Sequence, residues 1–193
     1  MKKTALLLID IQNDYFNSFE GAKWPLKNME QATKKTEKLL AYFRMNHLDV
    51  IHVRHEFSDN NAPFFHPGSL GAHIHSSVAP KDGESIILKH SPNSFHETHL
   101  SETLKNKSIT NLVIAGAMSH MCIDSTTRAA VDMGYDCTVI HDACTTRDLE
   151  FNNNIIPADQ VHNASMAALA FTYAKVITTT EFLTSEIGGV EYA

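Results

Sequence analysis

Asn111-Leu-Val-Ile-Ala-Gly-Ala-Met-Ser-His-Met-Cys122 starts as an apolar strand, turns at a glycine and enters an amphipathic helix. Leu112 to Ala115 form a short continuous apolar run, the pattern of a strand buried on both faces. Gly116 lets the chain turn sharply. Beyond it Ile123, Thr126, Thr127, Ala130 and Val131 recur at helical spacing, and Gly134 is placed to cap that helix. Cys122 therefore sits at the mouth of a helix. A thiol there is expected to be more acidic than a free one, because the helix N-terminus favours the thiolate.

The same alternation runs along the whole chain. Apolar runs at 5–9, 49–54, 85–89, 137–140 and 175–178 read as further strands. Between them, 29–46, 96–106 and 160–173 read as helices, and Thr180 is placed to cap a last short one. Residues 56–83, rich in proline and glycine, form a long irregular stretch suited to a binding loop. The predicted architecture is a three-layer α/β/α, Rossmann-like fold with a six-stranded parallel sheet, as a single domain over 1–193. In such folds ligands bind at the carboxyl ends of the strands. Asp10 and Lys89 end apolar strands there, as the turn before Cys122 does.

Composition narrows the function. A net charge of -6 and the lack of a Lys/Arg run argue against nucleic acid. No apolar run reaches the roughly 18 residues of a membrane span. The apolar N-terminal stretch ends in Asp10 without a small-residue cleavage site, so it is read as a strand and the protein as cytoplasmic. Three cysteines without CxxC spacing argue against a disulfide scaffold, a zinc ribbon or a redox pair.

A lone cysteine is more often inert packing than a nucleophile, and Cys137, inside a strand, is read that way; Cys144, in a strand-exit loop, is left open. Cys122 differs through its company. Asp10 can serve as a general base and Lys89 as a fixed cation favouring the thiolate. Backbone N–H groups at the helix start, including that of Cys122, are available to a developing oxyanion.

Leu8-Ile-Asp10-Ile-Gln-Asn-Asp14, Lys89-His-Ser-Pro-Asn-Ser-Phe95 and Gly116-Ala-Met-Ser-His-Met-Cys122 resemble, in order, the three signature segments of the isochorismatase-like cysteine hydrolases. The resemblance covers nearly the whole chain. It implies a triad in which Asp10 activates Cys122 and Lys89 orients both. It also implies a cis peptide between Ala117 and Met118, with the Met118 N–H beside that of Cys122 as oxyanion donors. Most such enzymes cleave C–N bonds through a thioester; isochorismatases cleave a vinyl ether, and some of those lack the cysteine. Nicotinamidases in the family hold a metal through an Asp-x-His segment, whereas this chain has Arg54-His-Glu-Phe-Ser-Asp59 there. No metal is therefore expected, although His55, His66, His73 and His75 lie in the region. No organic cofactor is expected either, since no GxGxxG follows the first strand.

Gln12, Phe16, Phe64, Phe65 and His120 are the candidate substrate-binding residues, and Asp14 and Arg147 are read as loop-fixing. The expected activity is hydrolysis of a small amide or carbamoyl C–N bond. The alternatives are a vinyl ether hydrolase on the same fold, or a non-catalytic binding or scaffold domain. The expected partners are a small-molecule substrate and further copies of the chain, as family members commonly form dimers or larger assemblies.

Overall fold

β1 (Thr4–Ile9) is apolar without interruption because both of its faces are covered: every residue after Thr4 is buried. The computed structural model describes residues 3–59 and 61–188. After β1 come α1 (Met29–Met45), β2 (Asp49–His55), β3 (Ser85–Lys89), α2 (Leu100–Asn106), β4 (Asn111–Ala117) and α3 (Asp124–Asp132). The chain continues with β5 (Asp136–Thr145), β6 (Leu149–Phe151), β7 (Asn154–Ile156), α4 (Ala158–Thr172), β8 (Lys175–Ile177) and α5 (Thr179–Gly188).

Six strands form one parallel sheet in the order β3-β2-β1-β4-β5-β8. The predicted fold class is thus the observed one. Strand order reverses between β1 and β4, and the crevice outside the carboxyl ends at such a reversal is where doubly wound sheets bind ligands. Alternation within β1 serves two layers. Leu6 and Leu8 pack with Leu39, Phe43 and Phe182 from α1 and α5, while Leu7 and Ile9 pack with Leu100, Ala130 and Leu169 from α2, α3 and α4. In α1 the buried positions Met29, Ala32, Thr33, Thr36, Leu39, Leu40 and Phe43 follow the helical period, so one stripe meets the sheet.

Four local expectations change. β5 extends to Thr145, with a register break between Ile114 and Gly116, which carries Cys144 into the sheet instead of a loop. α2 begins at Leu100, not 96, because Glu97 takes a left-handed φ of 54° that no α-helix accommodates. α4 begins at Ala158, directly after Pro157, rather than at 160. Residues 149–156 form an antiparallel hairpin that was not anticipated. Asn152 and Asn153 both have positive φ, 51° and 59°, as a two-residue type I′ loop requires. Among the described residues no helix is long and apolar enough to cross a membrane.

Candidate active site

Three strand ends bring their last polar side chains to one point. Asp10 follows β1, Lys89 ends β3 and His55 ends β2 directly opposite Lys89 in register. Asp10 and Lys89 are fully buried, and the Lys89 Nζ lies 2.8 Å from Asp10 Oδ2. The contact is a buried ion pair in which the ammonium faces the carboxylate at hydrogen-bonding distance. The ammonium also donates toward Cys122 Sγ at 3.2 Å, Ser91 O at 3.1 Å and His55 Nδ1 at 2.9 Å. Burial works against the Lys89 charge, but Asp10 and Cys122 outweigh it and raise the ammonium's pKa.

Cys122 departs from the sequence expectation in two ways. It lies within a π-helical turn, Ser119–Ile123, that leads into α3, rather than at the start of an α-helix. Its thiol is also not acidified at rest. Burial, then the Asp10 charge, push it up to about 12 against the opposing pull of Lys89. The resting site therefore holds a thiol beside a charged ammonium. The peptide between Ala117 and Met118 is cis. Among the described residues the Met118 N–H donates to no carbonyl or side chain. Gly116 has φ 130°, and a Cβ there would stand 1.9 Å from Ile9 O, so only glycine lets β4 turn against β1.

Buried polar contacts hold this turn. Ser119 Oγ donates to Thr145 O at 3.1 Å, so its contact with His162 Nδ1 at 2.7 Å is one in which the imidazole donates. Thr126 Oγ1 accepts from the Ser94 N–H at 3.0 Å and meets Ser94 Oγ at 2.8 Å. This ties the segment after Lys89 to α3, the helix that follows Cys122.

The predicted substrate-binding residues separate into two groups. Phe64 and His120 line a groove of about 350 Å³ together with Trp24, Met118, Arg147 and Leu149. His120 Nδ1 lies 2.6 Å from Thr146 Oγ1, and burial, then Arg147, lower its pKa. Gln12, Phe16 and Phe65 are inside the protein instead. The Gln12 amide donates to His55 O and Ala72 O and accepts from the His55 N–H, so it clamps β2 to the 70–78 loop. Phe16 stacks on His75 at 3.7 Å, and Phe65 packs on Tyr15 at 4.6 Å. Asp14 fixes loops as expected, accepting from the N–H groups of Lys23 and Phe65. Arg147 lies over the Trp24 ring at 4.0 Å. A larger cavity of about 450 Å³, lined in part by Lys35, His141 and His162, includes none of Asp10, Lys89 and Cys122. The buried Asp10–Lys89 charge pair thus lies apart from this cavity.

Two residues coupled to the Asp10–Lys89–Cys122 cluster were not assigned to it from the sequence, where His55 was weighed only as a metal ligand. His55 is 5% exposed, and burial, then Lys89, lower its pKa to about 4, so it is neutral. The rule that picked Asp10 and Lys89, a polar residue ending an apolar strand, would have found it. Tyr15 is buried, and its phenol pKa is raised by burial first and then by the charges of Cys122 and Asp10. Its sequence context carries no such signal.

Among the described residues Asp10, His55 and Cys122 are the one acid, histidine and thiol group whose ligand atoms all fall within 4.8 Å. The Lys89 ammonium contacts all three, so a cation already occupies the position a metal would take. Elsewhere in the region His66 bonds to Ala62 O, His75 stacks on Phe16, and His73 is exposed.

The sequence profile of the isochorismatase domain matches residues 4–181. YddQ, an uncharacterized isochorismatase family protein of Bacillus subtilis, is 49% identical over 93% of this chain and 98% of its own. A streptothricin hydrolase of Streptomyces noursei is 27% identical over 86% of this chain and 59% of its own. A crystal structure from Oleispira antarctica, of a protein assigned to the isochorismatase hydrolases, superposes with a TM-score of 0.92 at 56% identity, covering 95% of this chain and 97% of that one. With its strand order, its three polar strand ends and these likenesses, the chain belongs to the isochorismatase family.

Proposed function

We propose that this isochorismatase-family hydrolase cleaves a C–N bond of a small amide or carbamoyl substrate through a thioester on Cys122. The observation that carries the reading is the Lys89 ammonium in contact with both Asp10 and Cys122 in a buried site beside the groove. A resting thiol with a raised pKa needs a base in contact with the reacting pair, and Asp10 is that base. As sulfur attacks the carbonyl carbon, its proton passes to Asp10. The oxyanion forms beside the N–H groups of Met118 and Cys122. The C–N bond then breaks and the leaving nitrogen takes the proton from Asp10. Water adds to the thioester, gives a proton to Asp10, and the C–S bond breaks as that proton returns to sulfur. Phe64, His120 and Trp24 line the groove from which substrate would approach. The relative named as a hydrolase is consistent with hydrolysis here.

The test is an ammonia-release screen over small amides, ureas and carbamoyl compounds. Turnover is expected to fall at least about a thousandfold in Cys122→Ala. Pyruvate release from isochorismate without ammonia release from any amide would instead mark the ether hydrolase, and full activity of Cys122→Ala would remove the thioester route. A thiol at Cys122 no more reactive than Cys137 would mark a scaffold.

A further inference from the structure

We infer that His55 is a positioning residue of the reaction: its Nδ1 holds one N–H of the Lys89 ammonium so that another is free to follow negative charge from Asp10 to Cys122. This rests on the triad reading above.

An ammonium has three donors and no acceptor. The 2.9 Å contact between Lys89 Nζ and His55 Nδ1 is therefore a bond that the imidazole accepts, with its own proton on Nε2. That tautomer leaves the buried Nε2–H without a partner. Packing alone gives no reason for such an arrangement; an acceptor required at Nδ1 does. Backbone and ring are both held in place. One side-chain amide, that of Gln12, bonds both the N–H and the C=O of His55, and the Phe57 ring lies 4.5 Å away.

Four acceptors surround the three ammonium protons: Asp10 Oδ2, His55 Nδ1, Ser91 O and Cys122 Sγ. His55 and Ser91 O are neutral and do not change when the thiol proton moves. They hold two N–H bonds in place. The third is left to Asp10 while the carboxylate is charged, and to sulfur once the proton has moved and the charge is there. The charged and titratable groups facing His55 are Lys89, Asp10 and His90, and Cys122 is the fourth member of the cluster. Without the Nδ1 acceptor three acceptors remain for three protons, so each N–H is committed and none is free to follow the charge to sulfur, and the buried ammonium is less well held in its charged form.

Asparagine and glutamine separate position from polarity. In His55→Asn the amide oxygen falls near the place of Nδ1, and in His55→Gln near that of Nε2. The readout is iodoacetamide alkylation of Cys122 as a function of pH, followed by mass spectrometry, with Cys122→Ala as blank and circular dichroism to confirm folding. His55→Asn is expected to alkylate within about threefold of the wild-type rate, and His55→Gln at least about tenfold slower, with its neutral plateau ending about one pH unit lower. Equal rates in the two variants beside a reactive wild type would overturn the role of His55 alone. A wild-type Cys122 no more reactive than Cys137 would overturn the triad reading and this inference with it. If His55→Gln does not fold, His55→Asn decides: a rate about tenfold or more below wild type refutes the positioning role.

Discussion

Asp10, Lys89 and Cys122 behave as one charge system, and single substitutions there are expected to show it. Lys89→Met leaves the fully buried Asp10 without a counter-charge, which should cost about 3–5 kcal/mol of stability in urea unfolding. Adding Asp10→Asn should recover much of that loss, because the unpaired charge goes with it. Asp10→Asn by itself separates acidity from activity. The Asp10 charge helps to hold the thiol near 12, so removing it should let the thiolate form at lower pH, read by its ultraviolet absorbance, while turnover is lost with the base. These residues were legible in the sequence because each ends an apolar run. The resting acidity of Cys122 was not, since it depends on burial and on a carboxylate more than a hundred residues away in the chain.

At the scale of elements, the site is positioned by how strand ends meet. Gly116 was expected for its turn, and the close approach to Ile9 O adds a reason that only the paired strands reveal. Gly116→Ala is expected to lower stability by about 2–4 kcal/mol, measured by urea midpoint, and to abolish turnover by displacing the Cys122 turn. Glu84, directly before the edge strand β3, ties that strand's start to α1 and β2. It pairs with Arg44 of α1 at 2.7 Å, meets His52 of β2 at 2.9 Å and accepts from the Lys81 N–H at 2.8 Å. Burial opposes its charge, but Arg44 and the other donors win and lower its pKa from 4.5 to about 2. The folded value lies below the unfolded one, so this contribution is present above about pH 4.5 and lost as pH falls towards 2. Between pH 5 and 3 the urea midpoint of Glu84→Gln should therefore fall less than that of the wild type. The hairpin of β6 and β7 carried a readable signal, Asn152-Asn153, between runs too short to stand out as strands. The left-handed Glu97 that shortens α2 carried none, because its conformation is imposed by the turn around Ser94 and Thr98.

Over the whole molecule, the sheet's middle strand bears most directly on stability. Leu7 is fully buried and packs between helices, so Leu7→Ala should cost about 2–5 kcal/mol by thermal or urea unfolding. The expected assembly has candidate surfaces in Phe171 on α4, 90% exposed, and in Phe151 and Ile155 on the hairpin. Light scattering is expected to give the mass of a dimer or larger species, reduced by Phe151→Ser with Ile155→Ser. A monomer mass at micromolar concentration would remove the expectation. The alternation of apolar runs and helical stripes was enough to determine the parallel α/β/α architecture, because burial on two faces leaves its mark on every central strand. Three motifs were enough to single out Asp10, Lys89 and Cys122, which the fold brings into contact around one ammonium. Only the tertiary structure decided what those residues are at rest. It put a fourth strand end, His55, against Lys89, closed Gln12, Phe16 and Phe65 away from the groove, and held the Cys122 proton on sulfur. The physical reason is that periodicity is a local property of a chain, whereas desolvation and charge coupling depend on which distant segments exclude water from the same small volume.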